Sequence, residues 1–315
     1  MVIEQTNNKR FRILVCIDGS DESYQGLRYA AKMGGGVDAD IVLLNIRPVD
    51  QGLHSGGMQV EVARENMLSW GLELPWIKNL RKGLDILTEL RAVDTGWEEK
   101  STQTSVEGDP LGDNTIEYTS ESGKKIILKL KVASDIASGI LDQWEIGQHD
   151  LIILGKNSRR SGMIPSFWDP AIAEKVAVHA PCSVLVARDL EVGHGHLICT
   201  DGSEKAMDMV RKDAYLASRC QCPISIISVS LDEEGEVEAG NNVTRARELI
   251  KSMGIEVQDI FTLVGDPVDQ IIEIGCDYSL IVMSDSGTTG LKRFFMGSVA
   301  FKVLENAHNS VLIVR

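Results

Sequence analysis

An internal repeat constrains the fold of this 315-residue chain more than any other sequence feature. Residues 11–23 (FRILVCIDGSDES) match residues 195–206 (GHLICTDGSEKA), and the two Asp-Gly-Ser triplets begin at Asp18 and Asp201. Later segments repeat in the same order, because residues 150–155 match 279–284 and residues 179–188 match 305–315. Ordered repetition of this kind indicates two similar units in tandem. We therefore predict two domains, residues 1–189 and residues 190–315.

Each unit alternates short apolar runs with amphipathic segments, which predicts strands separated by helices. The predicted strands are residues 11–17, 41–46, 126–132, 151–154 and 183–187, then 197–200, 224–229, 259–264, 280–283 and 311–314. The predicted helices are residues 21–33, 59–91 with a break near Pro75, 135–145, 171–179, 206–219, 244–253, 268–274 and 298–307. Right-handed crossovers then give two tandem Rossmann-like α/β domains, each a five-stranded parallel sheet with helices on both faces.

Charge and composition argue against two classes of partner. The chain has 32 Lys and Arg against 46 Asp and Glu, a net charge of −14, and lacks the basic patch typical of nucleic-acid binders. An acidic surface disfavours anionic membranes, and no apolar run approaches the length of a membrane span. The first residues lack the apolar core of a signal peptide. We expect a cytoplasmic protein that binds neither nucleic acid nor membranes.

The first unit contains an acidic insertion at residues 94–123. This segment has eight acidic residues and one lysine, which accounts for half of the net charge of the chain. Two conformations are compatible with its polar sequence and turn signals. The insertion is either disordered or forms an exposed hairpin in which residues 115–119 pair with the strand after Lys124. A partner-binding arm is the functional alternative to an uncommitted surface loop.

The cysteines and histidines give weaker signals. Cys16 and Cys199 lie inside predicted strands, which favours a role in core packing. Cys220 and Cys222 are the only close pair, and packing is favoured there over redox or metal chemistry. His194 and His196 form an H-x-H pair that we interpret as a linker entering a strand, since no third metal ligand is evident.

The strongest functional pattern lies near the end of the second unit. The apolar run 280–283 leads through Ser284 and a Gly-rich loop into a helix that begins at Gly297-Ser298. A loop of this kind leaves backbone N–H groups unpaired at the helix N-terminus, where the helix dipole adds partial positive charge. The pattern predicts a phosphate site. A strand-to-helix turn that needs glycine for geometry alone is the alternative.

The spacing of this loop resembles the ATP-binding signature of the universal stress protein family. That signature is Gly, two residues, Gly, nine residues, Gly, then Ser or Thr. Gly287, Gly297 and Ser298 match it, and Ser284 replaces the first glycine. The resemblance implies the family's five-stranded fold and an adenine nucleotide in the second domain. The ligand is expected to be ATP, ADP or AMP, with or without Mg²⁺.

The resemblance also implies where the nucleotide lies. Strands one and four are neighbours in that family, and ligands of open α/β sheets bind beyond the carboxyl ends of such strands. The residues expected to hold the base, ribose and phosphates are Thr200, Asp201, Val229, Met283, Ser284, Gly287, Gly297, Ser298 and Val299. For Asp201 the alternative is a purely structural role as a turn-former in Asp-Gly-Ser.

The first unit departs from the signature more clearly. Gly155 keeps the first position, but Ser158 replaces the second glycine and the loop is two residues longer. Its helix begins with Asp169-Pro170, a good helix start that fills the N-terminus with a carboxylate. Phe167-Trp168 could plug the pocket. We therefore predict a degenerate partner domain that does not hold ATP in the family manner. Binding of sulfate or phosphate at Arg159-Arg160 is the less favoured alternative for this half.

The ends of the two units predict how they assemble. The segments from Ser183 to Arg188 (SVLVAR) and from Ser310 to Arg315 (SVLIVR) are short hydrophobic edge strands, which invite pairing. In single-domain proteins of the family that the chain resembles, the last strands of two protomers pair antiparallel. We expect the same pairing inside this chain, giving an intramolecular pseudo-dimer. A further homodimer is compatible with the sequence but not indicated by it.

Three functions compete for a chain with these patterns. The first is a nucleotide-binding stress or signalling protein, with at most slow ATP hydrolysis, because the sequence presents no organised catalytic base, nucleophile or metal cluster. The second is a tandem stress protein that does not bind nucleotide and acts as a protein-interaction module. The third is an ATP pyrophosphatase or ligase, which resembles this fold but carries an SGG-type loop directly after strand one, whereas here Ser55-Gly56-Gly57 follows strand two. A P-loop is absent from the sequence. The first function is favoured.

Overall fold

The computed structural model describes residues 10–48, 75–94, 96–106, 109–155, 170–188, 195–285 and 296–315. In the first half, the strands are β1 (Arg12–Cys16), β2 (Asp40–Pro48), β3 (Glu98–Val106), β4 (Asp109–Thr119), β5 (Lys125–Ala133), β6 (Leu151–Gly155) and β7 (Ser183–Ala187). The helices of this half are α1 (Asp21–Val37), α2 (Pro75–Glu89), α3 (Ile136–Gly147) and α4 (Pro170–His179). The part of the predicted helix 59–91 before Pro75 lies outside the described residues.

The second half repeats this alternation without the additional strands. Its strands are β8 (His196–Cys199), β9 (Ile224–Ser230), β10 (Ile260–Val264), β11 (Leu280–Ser284) and β12 (Ser310–Val314). Its helices are α5 (Glu204–Arg219), α6 (Glu236–Ser252), α7 (Pro267–Gly275) and α8 (Ser298–Asn306). Helix α6 begins eight residues earlier than predicted. Its first two turns are mostly polar and include Glu236 and Glu238, so the apolar periodicity used to predict the helix is weak there.

The described strands form one continuous twelve-stranded sheet in the order β10-β9-β8-β11-β12-β7-β6-β1-β2-β5-β4-β3. Within each half, five parallel strands follow the order third, second, first, fourth, fifth, as the predicted crossovers require. One apolar layer packs α1, α2, α5 and α6 on one face of the sheet, and a second packs α3, α4, α7 and α8 on the other. The α/β fold class is therefore confirmed.

The acidic insertion extends the sheet of the first half. Strands β3 and β4 form an antiparallel hairpin, and β4 pairs antiparallel with β5, with Thr115 opposite Lys129. The hairpin alternative is thus confirmed for the described residues of the insertion, and disorder is the wrong alternative for them. The five predicted strands account for the parallel core, and the hairpin adds two strands beyond it.

A buried ion pair fixes this hairpin to the core. Arg47 at the end of β2 donates both terminal nitrogens to the carboxylate of Asp109 at the start of β4. The side chains are 2% and 0% exposed. The Arg47 guanidinium carbon also lies 5.8 Å from the ring centroid of Trp76 in α2. The hairpin is therefore joined to β2 through a pair of charges withdrawn from water.

The two halves meet where β7 and β12 pair. These strands run antiparallel, with Leu312 opposite Leu185 and Ile313 opposite Val184. The pairing occurs between the two segments for which the sequence predicted it. The pairing provides backbone hydrogen-bond partners for the outermost strand of each five-stranded unit and makes the sheet continuous.

A reciprocal arginine contact reinforces this junction. Arg188, at the end of β7, donates to the carbonyl of Leu304 in α8 and, at 3.0 Å, to that of Asn309. Arg315, at the end of β12, donates to the carbonyl of Ala177 in α4 and, at 3.1 Å, to that of Cys182. Each half therefore supplies a cation to the C-terminal end of a helix in the other half, where the helix dipole favours positive charge.

We expect Arg188→Met to destabilise the junction. Burial lowers the pKa of Arg188 to about 10, so the guanidinium remains charged at neutral pH and its loss leaves buried carbonyls without their donor. Hydrogen bonds to charged groups contribute roughly 1.5–3 kcal/mol, and the free energy of unfolding should fall by an amount in that range. Urea denaturation measures it. Arg211→Met, which removes an exposed ion pair with Asp208, is the matched control, and an equal small loss in both variants would contradict this account.

Candidate functional site

The predicted site residues of the second half converge at one edge of the sheet. Strand β8 lies between β9 and β11, so the carboxyl ends of these three parallel strands open on the same side. A cavity of about 310 Å³ lies there. Eight of the nine predicted residues line it, namely Thr200, Asp201, Val229, Met283, Ser284, Gly297, Ser298 and Val299. The ninth, Gly287, lies outside the described residues.

The cavity also has lining residues that the sequence did not single out. Cys199, Ile227 and Ala300 lie within two residues of predicted residues in the sequence, whereas Ala206 comes from α5 and Pro267 and Ile271 come from α7. The sequence does indicate where α7 begins: Asp266 is a good N-cap residue, and a proline follows it at the first helical position. Sequence spacing could not show that this helix start reaches the cavity.

The N-terminus of α8 enters the cavity without a side-chain cap. Helices α5 and α7 begin with Ser203 and Asp266, whose side chains accept from backbone N–H groups of the first turn. Helix α8 begins at Ser298 directly after Gly297, and no side chain of the described residues caps its first turn. Gly297 itself donates to the Asp285 carbonyl at 2.6 Å, which fixes the entry of the chain into the helix. The first N–H groups of a helix have no partner within the helix, so those at the start of α8 can donate to an acceptor in the cavity.

The Asp-Gly-Ser turn at the end of β8 performs a structural task as well. The Asp201 Oδ1 atom accepts from the Ser203 backbone N–H at 3.0 Å, and the Thr200 hydroxyl accepts from that of Gly202 at 3.1 Å. Gly202 has φ +73, and an added Cβ would lie 1.9 Å from the amide oxygen of Asn242. The turn-forming role of Asp201 is therefore real, and it coexists with the position of this residue at the cavity wall.

The same turn occurs in the first half. The Asp18 Oδ1 atom accepts from the backbone N–H of Ser20 at 2.9 Å, and Gly19 has φ +95. An added Cβ on Gly155, at the end of β6, would meet the backbone nitrogen of Ser23 at 2.7 Å. Gly155 is thus required by the close approach of α1. The predicted pocket-blocking residues, Phe167, Trp168 and Asp169, lie outside the described residues.

Asp201 is the only charged side chain among the described residues that line the cavity, and a second carboxylate, Asp285, lies next to the lining residue Ser284. Asp285, the residue after β11, has one carboxylate oxygen 3.9 Å from Lys205 Nζ and the other 3.6 Å from Arg315 Nε. These two cations offset the negative charge that would otherwise oppose a phosphate group. Lys292 and Arg293, which the sequence suggested as phosphate partners, lie outside the described residues.

Two negative findings concern metals and membranes. Within the described ranges, no group of three or more His, Cys, Asp or Glu side chains is arranged to hold a metal ion. None of the helices described in the structure combines the length and apolar character needed to cross a bilayer.

Comparison with known proteins gives consistent results. The model of the universal stress protein family matches residues 196–315. A universal stress protein of Methanocaldococcus jannaschii is 37% identical over 92 residues, which span 29% of this chain and about half (51%) of that relative. A universal stress protein of Bacillus subtilis is 27% identical over 144 residues, with 38% of this chain and 97% of the relative covered.

The solved structures that resemble the whole chain include two described as universal stress proteins. A putative universal stress protein from Pseudomonas aeruginosa matches with a TM-score of 0.60 and 16% identity, covering 98% of this chain and 94% of its own. A universal stress protein from Archaeoglobus fulgidus matches with a TM-score of 0.57 and 16% identity, covering 96% of each chain. At this identity the likeness concerns the fold, and it extends over both halves.

Proposed function

We propose that residues 196–315, which match the model of the universal stress protein family, bind an adenine nucleotide, with ATP as the first candidate. The bound nucleotide regulates the protein's interactions in a stress or signalling role, and hydrolysis is at most slow. The observation that carries the proposal is the N-terminus of α8, which follows Gly297 in the wall of the cavity and is capped by no side chain of the described residues.

The phosphate end of the ligand is assigned to this helix start. Backbone N–H groups and the helix dipole together favour an anion at such a position. The cavity volume of about 310 Å³ lies at the lower end of the range of roughly 300–1,000 Å³ found for small-molecule sites. Because Asp285 is paired with Lys205 and Arg315, its charge does not dominate the phosphate position.

The base and ribose are assigned to the strand ends. Ile227, Val229 and Met283 give the cavity an apolar wall that suits the faces of a purine ring. The Asp201 carboxylate uses one oxygen in the turn, and the other is bonded to none of the described residues. That oxygen can accept from an adenine amino group or a ribose hydroxyl.

The role of Ser284 is set by its position at the end of β11. Ser284 lines the cavity where the family signature has glycine, and it is partly exposed. We assign it as a hydroxyl contact to the ribose or phosphates. Steric crowding by this side chain is the reason for the alternative function, a tandem stress protein that acts only through protein interactions.

Calorimetric titration of ATP, ADP and AMP into the intact chain tests this proposal. We expect saturable binding with one site per chain, because the proposal places nucleotide in the second half alone. Two sites per chain would contradict the degenerate role assigned to the first half. Absence of heat with all three nucleotides, checked by equilibrium dialysis, would favour the interaction module. Titration with and without Mg²⁺ shows whether the metal accompanies the phosphates.

A further inference from the structure

Strand β10 forms one edge of the twelve-stranded sheet, and among the described residues it pairs with β9 alone. The carbonyl of Asp259, just before the strand, accepts from the Ile226 N–H of β9 at 3.0 Å. Because the backbone groups of successive strand residues point to opposite neighbours, every second residue from there presents its N–H and C=O away from β9. These residues are Ile260, Thr262 and Val264. The edge can therefore pair with a further strand.

The side chains of this edge do not oppose pairing. Strand β10 has the sequence IFTLV, which contains neither a charge nor a proline, and Ile260 and Val264 are each 38% exposed. Edge strands of native proteins usually carry charged residues, prolines or bulges that prevent pairing with another chain. The opposite edge of the sheet, β3, begins with three charged residues in the sequence EEKSTQTSV and is mostly exposed. Of these two edges, β10 is the one suited to accept a partner.

The first half shows how the equivalent strand is covered. Strand β5 has the position in the first half that β10 has in the second, and β4 pairs with it antiparallel. Strand β5 contains three lysines, whereas β4 contains three acidic residues and no basic one. Lys125 Nζ of β5 lies 2.7 Å from the Glu117 carboxylate of β4. The Asp113 carboxylate of β4 accepts from the Val132 N–H of β5 at 2.8 Å. A basic strand is thus covered by an acidic one.

The charges around β10 have the opposite sign. Residues 252–285, which include β10, contain seven acidic residues and no lysine or arginine. Four of the seven lie within five residues of β10 in the sequence and are exposed, namely Glu256, Asp259, Asp266 and Asp269. Helix α6, which packs against β10, carries three acidic and three basic residues and so adds no net charge. Electrostatic complementarity at this edge therefore requires a basic strand.

We propose that β10 is a docking edge for an extended, basic segment of another protein, which joins the sheet as an additional antiparallel strand. The main-chain groups of the segment bond to the outward backbone groups of β10, and its apolar side chains contact Ile260 and Val264. Its lysine or arginine side chains lie near Asp259 and Asp266. Strand addition of this kind takes its affinity from main-chain hydrogen bonds and its specificity from alternate side chains.

A second copy of this chain is the competing occupant of the edge, and charge disfavours it. Its β10 would bring a second set of carboxylates next to the first. Its β3 belongs to the acidic insertion, residues 94–123, which has eight acidic residues and one lysine. Like charges that face each other across a strand pair are destabilising. Neither edge of a second copy therefore complements β10, whereas a basic segment does.

The first test measures binding of a short synthetic peptide in which lysine alternates with valine. The peptide carries a fluorescent label, and the intact chain is added while fluorescence anisotropy is recorded. We expect saturable binding that weakens severalfold when the salt concentration is raised. A matched peptide with glutamate in place of lysine should bind on the order of tenfold more weakly. Equal affinity for the two peptides, or binding of neither, would overturn the proposal.

The second test locates the peptide on the unaltered chain. Amide hydrogen exchange followed by NMR reports which backbone N–H groups gain a hydrogen bond. We expect the peptide to slow exchange at Ile260, Thr262 and Val264 and to leave the amides of β3 unchanged. Slower exchange at β3 alone, or at neither edge of the sheet, would mean that the peptide binds elsewhere and would overturn the proposal.

The third test removes one outward N–H group. Thr262→Pro deletes the central donor of the edge, and the pairing with β9 is kept because that N–H points away from β9. We expect the affinity for the lysine peptide to fall on the order of tenfold. Thr262→Val, which keeps the N–H group and a branched side chain, is the matched control and should bind as the unaltered chain does. Full affinity in Thr262→Pro, with an unchanged circular dichroism spectrum, would overturn the proposal.

Sedimentation of the chain alone decides between the two occupants of the edge. We expect no concentration-dependent dimer that Thr262→Pro abolishes. Such a dimer would assign β10 to a second copy of the chain and would overturn the proposal of a basic partner.

Discussion

Replacement of Gly297 by aspartate is expected to abolish adenine nucleotide binding while the fold remains at least as stable. The Gly297 backbone has φ −60 and ψ 147, a conformation open to any residue, and aspartate is among the best N-cap residues. Its carboxylate would bond to the N–H groups that otherwise face the cavity. It would also repel the phosphates by about 4 kcal/mol at 4 Å separation and an effective dielectric constant near 20.

The expected loss of affinity is therefore on the order of 100-fold or more, since each 1.4 kcal/mol is about a tenfold change in Kd. Calorimetry measures Kd, and thermal unfolding without nucleotide measures stability. Gly240→Asp is the matched control, because an added Cβ there, on α6, meets nothing within 4 Å. Unchanged affinity in Gly297→Asp would place the nucleotide away from α8. A simultaneous fall in Tm would mean that Gly297 serves the fold instead.

Removal of the Asp109 carboxylate is expected to have the largest effect on stability. In Asp109→Ala, the Arg47 guanidinium would stay buried, and its Nε atom has no bond to any described residue. Breaking a buried ion pair from one side costs roughly 3–5 kcal/mol, much of it from the charge left without a partner. We expect a loss of that size in the free energy of unfolding, with early exchange of the amides of β4.

The hairpin supplies its own control. Glu117 in β4 forms an ion pair with Lys125 in which the side chains are 30% and 41% exposed, so Glu117→Ala should cost less than about 1 kcal/mol. Replacing both buried partners, as in Arg47→Met with Asp109→Leu, should recover most of the stability lost in Asp109→Ala. Urea denaturation compares the variants. Equal effects of Asp109→Ala and Glu117→Ala would show that burial of the Arg47–Asp109 pair does not control stability.

The sequence predicted the parallel strands well because each is a short branched apolar run between amphipathic segments. The site residues were predicted from the resemblance to the universal stress protein signature, and eight of them line one cavity because Thr200 and Ser284 lie at the carboxyl ends of neighbouring parallel strands. Strand β3, with the sequence EEKSTQTSV and mostly exposed side chains, has no apolar alternation and is recognised only through its pairing with β4.

Other features depend on contacts between distant segments. Pro267 and Ile271 reach the cavity because β10 lies beside β9, which sequence spacing does not show. His196 looked like a linker residue because its partners, Tyr29 and Asp213, are 167 and 17 residues away. Buried polar side chains of this kind are specified by tertiary contacts and not by a local pattern.

The antiparallel joint between β7 and β12 has a consequence for how the two halves can change. Because they share one polypeptide, each half experiences the other at an effective concentration set by the connection, on the order of millimolar for short tethers. Two separate subunits must have a high affinity for each other to stay paired in solution, whereas two halves joined by one polypeptide need much less affinity. In a symmetric homodimer each mutation occurs in both subunits. In this chain a mutation changes one half only and leaves the sequence of the other half as it was. Covalent linkage therefore permits the two halves to diverge in sequence while the pairing of β7 with β12 is kept.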